Sequence, residues 1–179
     1  MARVIVSLLF SLHLAGAALG AAPLPTELVG TAFAWDGDDL VIAGIRIRLH
    51  GIDAFERRQV CMRDDKLWLC GAVARQVLQA LVGDNEVRCE PAQRRKSRGR
   101  PVMTCYVGAL NLNAEMVRQG LAMDCRRFSN GRYAAMEGEA RDARRGVWAG
   151  TFVTPAASKG KDYCVPRKRV RSQLNIDGN

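Results

Sequence analysis

Four side chains between Trp35 and Glu56 have the types that chemistry needs: Asp38, Arg48, Asp53 and Glu56. A core has no use for three carboxylates and a guanidinium, because an isolated buried charge is costly to desolvate. A divalent cation beside a phosphate would use all four. Carboxylates offer hard oxygen donors to the ion, and the guanidinium offers a planar fork to the anion.

The surrounding pattern says how they are positioned. Glu27–Trp35 alternates loosely and is rich in strand formers. Asp36-Gly37-Asp38-Asp39 is a turn, with Gly37 supplying a permissive backbone. Leu40–Ala43 resumes a strand and Gly44 turns it. Ile45–Leu49 then alternates strictly, sending Ile45, Ile47 and Leu49 to one face and Arg46 and Arg48 to the other. By period alone, Arg48 lies on a solvated strand face.

Further along, Arg57–Leu69 reads as an irregular charged loop closed by cysteines. Cys70–Val82 has a helical period, with Val73, Val77 and Leu81 on one face and Leu78 beside them; Gly83-Asp84 ends it. Glu86–Cys89 and Val102–Val107 read as partner strands. Between them, Pro91–Pro101 carries Arg94, Arg95, Lys96, Arg98 and Arg100, either a solvated loop or an anion-binding arm. Asn113–Gln119 is a short helix ended by Gly120, and Leu121–Met123 a short strand. Tyr133–Trp148 is the last helix, with Trp148 turned back to the core. Trp35 is likewise assigned to the core, and His50 to an ordinary strand position. From Thr151 onward Pro155, Gly160, Pro166 and the cluster Arg167, Lys168, Arg169 and Arg171 read as a poorly ordered basic tail, 151–179. No internal repeat is present.

Residues 1–20 have the form of a signal peptide: Arg3, an apolar run from Val4 to Leu19, then small residues that offer cleavage after Gly20. No later segment reads as a membrane span. The 27 basic side chains exceed the 18 acidic ones, a formal +9. Cleavage after Gly20 removes Arg3 and no acid, taking the charge from +9 to +8. Such a balance suits an anionic partner, nucleic acid or an anionic membrane surface. All six cysteines follow the leader, and an even count in an exported chain favours disulfides. A zinc site lacks its usual ligand spacing, since CxxC is absent and His50 is the sole histidine after the leader. Six cysteines allow fifteen pairings. The expected set is sequential: Cys61–Cys70, Cys89–Cys105 and Cys125–Cys164. The middle pair is the best argued, because it brackets the polar turn between two strands.

The stretch Arg48–Glu56, RLHGIDAFE, resembles the thermonuclease (staphylococcal-nuclease-like) family, in which R-L-x-G-I-D-x-P-E follows a D-G-D turn. Three more stretches agree in order and spacing. Gly99-Arg100 resembles the family's Y-G-R. Asn113–Ala122 resembles N-x-x-x-V-R-x-G-L-A. Glu139-Ala140 through Gly146-Val147-Trp148 resembles the last helix with its G-[IV]-W ending. The resemblance covers Val29 to Gly150, so residues 27–150 are expected to form the domain. It implies an α+β fold: an OB-type five-stranded β-barrel with three helices, here disulfide-bonded.

The resemblance also implies roles. Asp38 and Asp53 match calcium-binding carboxylates, so the implied cofactor is Ca²⁺. Arg48 and Arg100 match the two arginines on the scissile phosphate. Glu56 matches the glutamate that activates or orients the attacking water. The implied activity is an exported Ca²⁺-dependent phosphodiesterase acting on DNA and RNA as a monomer, leaving 3′-phosphate ends. Four positions depart from the pattern. Ala54 replaces Thr where the ion contact is a backbone carbonyl. Phe55 replaces Pro and is expected to loosen the turn before Glu56. Arg98 and Arg126 stand at or near aromatic positions of the family, and are expected to trade base stacking for backbone attraction. Two rival readings are a non-catalytic nucleic-acid-binding OB module, and a basic interaction protein whose tail binds anionic surfaces.

Overall fold

The computed structural model describes residues 26–92, 97–160 and 163–164. Strands β1 (Leu28–Asp36), β2 (Asp39–Ile42) and β3 (Ile45–Leu49) form an antiparallel meander, as their alternation requires. A short β4 (Ile52–Ala54) follows, then the hairpin β5 (Cys61–Arg63) and β6 (Lys66–Trp68), then helix α1 (Cys70–Val82). Strands β7 (Glu86–Pro91) and β8 (Val102–Val107) pair antiparallel with each other, and β7 pairs with β1. A parallel pairing of Arg48 with Val102 and Leu49 with Met103 joins β8 back to β3. The ring β3-β2-β1-β7-β8 is thereby closed, which removes its free edges. This is the expected α+β, OB-type barrel of five strands.

The remaining elements cap it. A two-residue β9 (Leu110–Asn111) leads into α2 (Leu112–Arg118), whose first turn is capped by the Asn111 side chain accepting from the Ala114 amide at 3.0 Å. Strand β10 (Ala122–Asp124) pairs with β4. The four-residue α3 (Arg126–Ser129) and then α4 (Ala134–Asp142) follow. A 3₁₀ turn spans Gly146–Ala149, and the four-residue α5 spans Pro155–Ser158. The three longer helices, α1, α2 and α4, are those anticipated.

The main core fills the barrel with Ala34, Leu40, Ile42, Ile47, Leu49, Val87 and Met103. It is sealed by Leu78 and Val82 of α1 and by Leu112, Met116 and Val117 of α2. A second, smaller core gathers Phe55, Val147 and the Cys61–Cys70 bridge, with Trp148 and Phe152 packed against it. The three disulfides are Cys61–Cys70, Cys89–Cys105 and Cys125–Cys164, the sequential set.

Local structure departs from pattern reading in four places. The loop 57–69 contains a hairpin, turned by Asp64 and Asp65 in the left-handed region, φ 49° and 57°. The last helix ends at Asp142, and the backbone reverses through Arg144 at φ 51° before the 3₁₀ turn. Trp35 is not in the core: it is 43% exposed, and the Arg46 guanidinium lies 4.7 Å from its ring centroid. His50 is buried in the turn after β3 rather than within a strand. The leader, Arg94, Arg95, Lys96 and the basic cluster after Pro166 lie outside the described residues.

Candidate active site

The turn 36–39 delivers the first carboxylates. Asp36 Oδ1 accepts from the Gly37 amide at 2.9 Å, tightening the turn. Gly37 is pressed against β4 and α1: a Cβ there would lie 2.8 Å from the Ala54 Cβ and 2.9 Å from the Ala74 Cβ. Only glycine lets the turn come this close. Asp38 is therefore seated against β4, where the Ala54 amide reaches its Oδ2 at 3.4 Å, and its carbonyl accepts from the Leu49 amide at 2.8 Å.

Register then brings the arginines in. Arg48 pairs across from Asp39, and its side chain is not spent on solvent. Its Nη2 lies 2.7 Å from Asp38 Oδ2 and 3.1 Å from Asp53 Oδ1. The closure of β3 on β8 places the tight turn 97–100 alongside, with Arg98 and Gly99 both at positive φ, 50° and 81°. Arg100 leaves that turn to bond Asp39 Oδ2, which Arg46 also holds at 2.6 Å. Arg98 is exposed on the same turn and lines the cleft. Arg126 is not at the cleft: it is 55% exposed, with Asp124 at 3.8 Å and Glu137 at 3.6 Å.

Glu56 is fixed through its backbone. Its amide donates to Gln59 Oε1 at 3.1 Å. Its carbonyl is covered by Gly71 in the first turn of α1, where a Cβ would stand 1.6 Å away. The neighbouring Phe55 is fully buried, edge-on to Phe152 with centroids 5.5 Å apart. The expected loosening is thus countered: what a rigid Pro would do by fixing φ, Phe55 does by anchoring its ring in the second core. The Glu56 carboxylate is half exposed and points over the cleft.

Lys159 and Tyr163 complete the site from the C-terminal side. Lys159 Nζ stands 3.0 Å from Asp53 Oδ1 and 2.6 Å from Glu56 Oε1. The Tyr163 hydroxyl donates to Asp53 Oδ1 at 2.9 Å and lies 3.0 Å from Lys159 Nζ. Sequence reasoning missed both. The available signals were the Thr154-Pro155 helix start and the Cys164 tether, which together imply that the chain returns to the domain.

Electrostatics follow burial. Burial pushes the Asp38 carboxyl up to about 7, against the opposing pull of Arg48. Burial works to lower both Arg48 and Lys159, but the surrounding carboxylates outweigh it and raise both. Burial, and then the charge of Arg132, lower His50, whose Nδ1 has no partner among the described residues. Asp53 Oδ2, a buried carboxylate oxygen, also has no hydrogen-bond partner among the described residues. That orphan, with Asp38 beside it, is the donor chemistry a hard cation takes. Among the described residues no group of three or more His, Cys, Asp or Glu forms a metal cage, so any ion would rest on these two carboxylates with carbonyl or water oxygens. The whole arrangement opens on a cleft of about 420 Å³, lined by Asp38, Arg48, Glu56, Arg98, Arg100 and Lys159 among others.

The family profile described as staphylococcal nuclease homologue matches residues 46–150, more than half of the chain. The chain belongs to that family. The match begins within β3 and runs through Gly150, so it takes in the barrel closure, both core helices, Arg48, Asp53, Glu56 and Arg100. A curated relative, the succinoglycan biosynthesis protein ExoI of Rhizobium meliloti (strain 1021), is 32% identical over 147 residues, covering 80% of this chain and 73% of that protein. Membership supports a nuclease-type domain with nucleic acid as the substrate class.

Proposed function

We propose that the protein is an exported, Ca²⁺-dependent phosphodiesterase that hydrolyses DNA and RNA. The observation that carries the reading is the convergence of Arg48, Arg100, Glu56 and Asp38 on one cleft, with the buried Asp53 bonded to Arg48. Arg48 and Arg100 come from neighbouring segments across the β3–β8 closure, and each is held by a buried aspartate, so two guanidiniums can meet a phosphate already ordered. Glu56, fixed by Gln59 and Gly71, presents a carboxylate that orients a water and takes up its proton. Asp38 and Asp53 would hold Ca²⁺; when bound, the ion supplies polarisation of the phosphoryl oxygens. Cleavage of the bond to the 5′ oxygen, leaving 3′-phosphate ends, follows from the family resemblance. The three disulfides support export. Among the described residues no helix is long and apolar enough to cross a membrane. Action as a monomer belongs to the same proposal. The name of the relative concerns succinoglycan biosynthesis, and the proposal rests instead on the cleft.

The test is hydrolysis of single-stranded DNA by the purified protein with Ca²⁺ and with a chelator, alongside Glu56→Gln. The expected result is cleavage that needs Ca²⁺ and falls by roughly 10²–10⁴-fold in the variant. Salt-sensitive DNA binding with no cleavage would replace this reading with the non-catalytic binding module.

A further inference from the structure

The chain after the 3₁₀ turn is fastened to the domain at successive points. Thr151 pairs with Met62 through two backbone bonds of 2.9 Å. Phe152 packs on Phe55 and Trp148. The Val153 carbonyl accepts from Gln59 Nε2 at 2.6 Å. Thr154 caps α5, whose Pro155 and Ala156 are buried. Beyond, Cys164 is bonded to Cys125, and its carbonyl accepts from the Arg127 amide at 3.0 Å. Lys159 lies between these anchors, its side chain 20% exposed and its ammonium bridging Asp53 and Glu56.

The bonding at Asp53 is lopsided. Oδ1 receives Arg48, Lys159 and Tyr163, at 3.1, 3.0 and 2.9 Å, while Oδ2 receives none among the described residues. Formal charge is unbalanced as well. With every carboxyl ionised, Asp38, Asp53 and Glu56 carry three negative charges, and Arg48 and Lys159 carry two positive ones. A divalent ion added to that set would give four positive charges against three, with the ion and the ammonium sharing Asp53. Exchange of the ion for the ammonium gives three against three. Like charges sharing one partly buried carboxylate repel strongly, because water screens them poorly there.

We propose that Lys159 is a tethered cation that competes with a divalent ion for the Asp53–Glu56 corner of the cleft. Ion binding displaces the ammonium, and the Cys125–Cys164 bridge sets how readily it returns. The proposal rests on the Ca²⁺ reading of Asp38 and Asp53.

Calcium titration calorimetry on the purified protein tests it, with Lys159→Met, Lys159→Arg and the pair Cys125→Ser/Cys164→Ser. The expected result is Ca²⁺ binding at least roughly tenfold tighter in Lys159→Met, the scale of removing a unit charge a few ångströms away. Lys159→Arg keeps the charge and stays near the parent, and the serine pair falls between. Acetylation of Lys159, followed by peptide mass spectrometry, should be slow without Ca²⁺ and faster with it, but unchanged by sodium chloride at matched ionic strength. Equal, measurable Ca²⁺ affinity in parent and Lys159→Met, with labelling indifferent to Ca²⁺, overturns this proposal and leaves the Ca²⁺ reading standing. Absence of Ca²⁺ binding in both proteins overturns the two together.

Discussion

Two buried aspartates, Asp39 in the lining of the cleft and Asp53 bonded to its lining residues, are held in opposite ways. Asp39 is held by Arg46 from the next strand and by Arg100 from the turn between β7 and β8. Both partners belong to the barrel, and the ladder register places them. Asp53 shares Arg48 with Asp38, but its other two partners, Lys159 and Tyr163, arrive from beyond the barrel. Among the described residues, each aspartate keeps one oxygen without a partner, Oδ1 of Asp39 and Oδ2 of Asp53. The difference separates a carboxylate that orients a cleft-lining arginine from one held in part by side chains beyond the barrel.

Substitution of the two should therefore separate their roles. Asp53→Asn removes a proposed ion ligand, and Ca²⁺-dependent turnover should fall by roughly 10²-fold or more, with Ca²⁺ affinity lost in calorimetry. Asp39→Asn should leave Ca²⁺ affinity in place and lower turnover by about 10-fold, through a less well oriented Arg100. Equal losses of Ca²⁺ affinity in both variants would erase the distinction.

The second core sharpens the contrast, because it carries the exchangeable side. Phe55 is fully buried among Phe152, Val147 and the Cys61–Cys70 bridge. Phe55→Ala should cost about 3–5 kcal/mol in urea unfolding, the usual range for a buried phenylalanine. It should also loosen Lys159 from Asp53 by removing the support of Phe152. A loss below about 1 kcal/mol would mean that this region bears little of the domain's stability.

Acid titration separates the two sides next. Asp38, seated between them, has its carboxyl raised by burial to about 7. The folded protein then holds a proton that the unfolded chain has released at any pH between about 4 and 7. A raised folded value means that the contribution is fully present below the unfolded value and is lost as pH rises through the folded one. In chelator, thermal stability attributable to Asp38 should thus decline from pH 4 to pH 7, with a slope of at most about 1.4 kcal/mol per pH unit. Asp38→Asn should flatten that component; a parent and variant with parallel profiles would place the titration elsewhere.

What could be read from the sequence follows the same division. Strand alternation showed the meander, and the family resemblance supplied the barrel closure; the sequential disulfide pairing was best argued for Cys89–Cys105, which brackets one turn. The period of β3 misplaced Arg48 on a solvated face, since alternation gives the side of a strand but not what lies opposite. Phe55 misled because local turn chemistry is silent about a ring reaching Phe152. Lys159 left no periodic trace at all. Its position depends on a fold-back made of one helical turn and one long-range bridge, and composition from Thr151 onward reads as tail. Trp35 failed in the other direction: an aromatic in a strand reads as core, and only the closed barrel shows that its face of β1 points outward.

The smallest expected effect compares the bridges of the two sides. Cys89–Cys105 joins adjacent barrel strands across 16 residues, whereas Cys125–Cys164 spans 39. On chain entropy alone, the longer loop should make Cys125–Cys164 worth about 0.8 kcal/mol more to stability. Paired serine substitutions, compared by urea unfolding, measure the difference. That margin assumes that the fold-back is as firmly packed as the barrel ladder. If the chain carrying Lys159 is in exchange with an ion-bound arrangement, its packing contributes less, and Ca²⁺ should change the cost of losing Cys125–Cys164 while leaving that of Cys89–Cys105 unaltered. A Ca²⁺ effect of equal size on both bridges would show that the ion stabilises the domain as a whole rather than acting through Lys159.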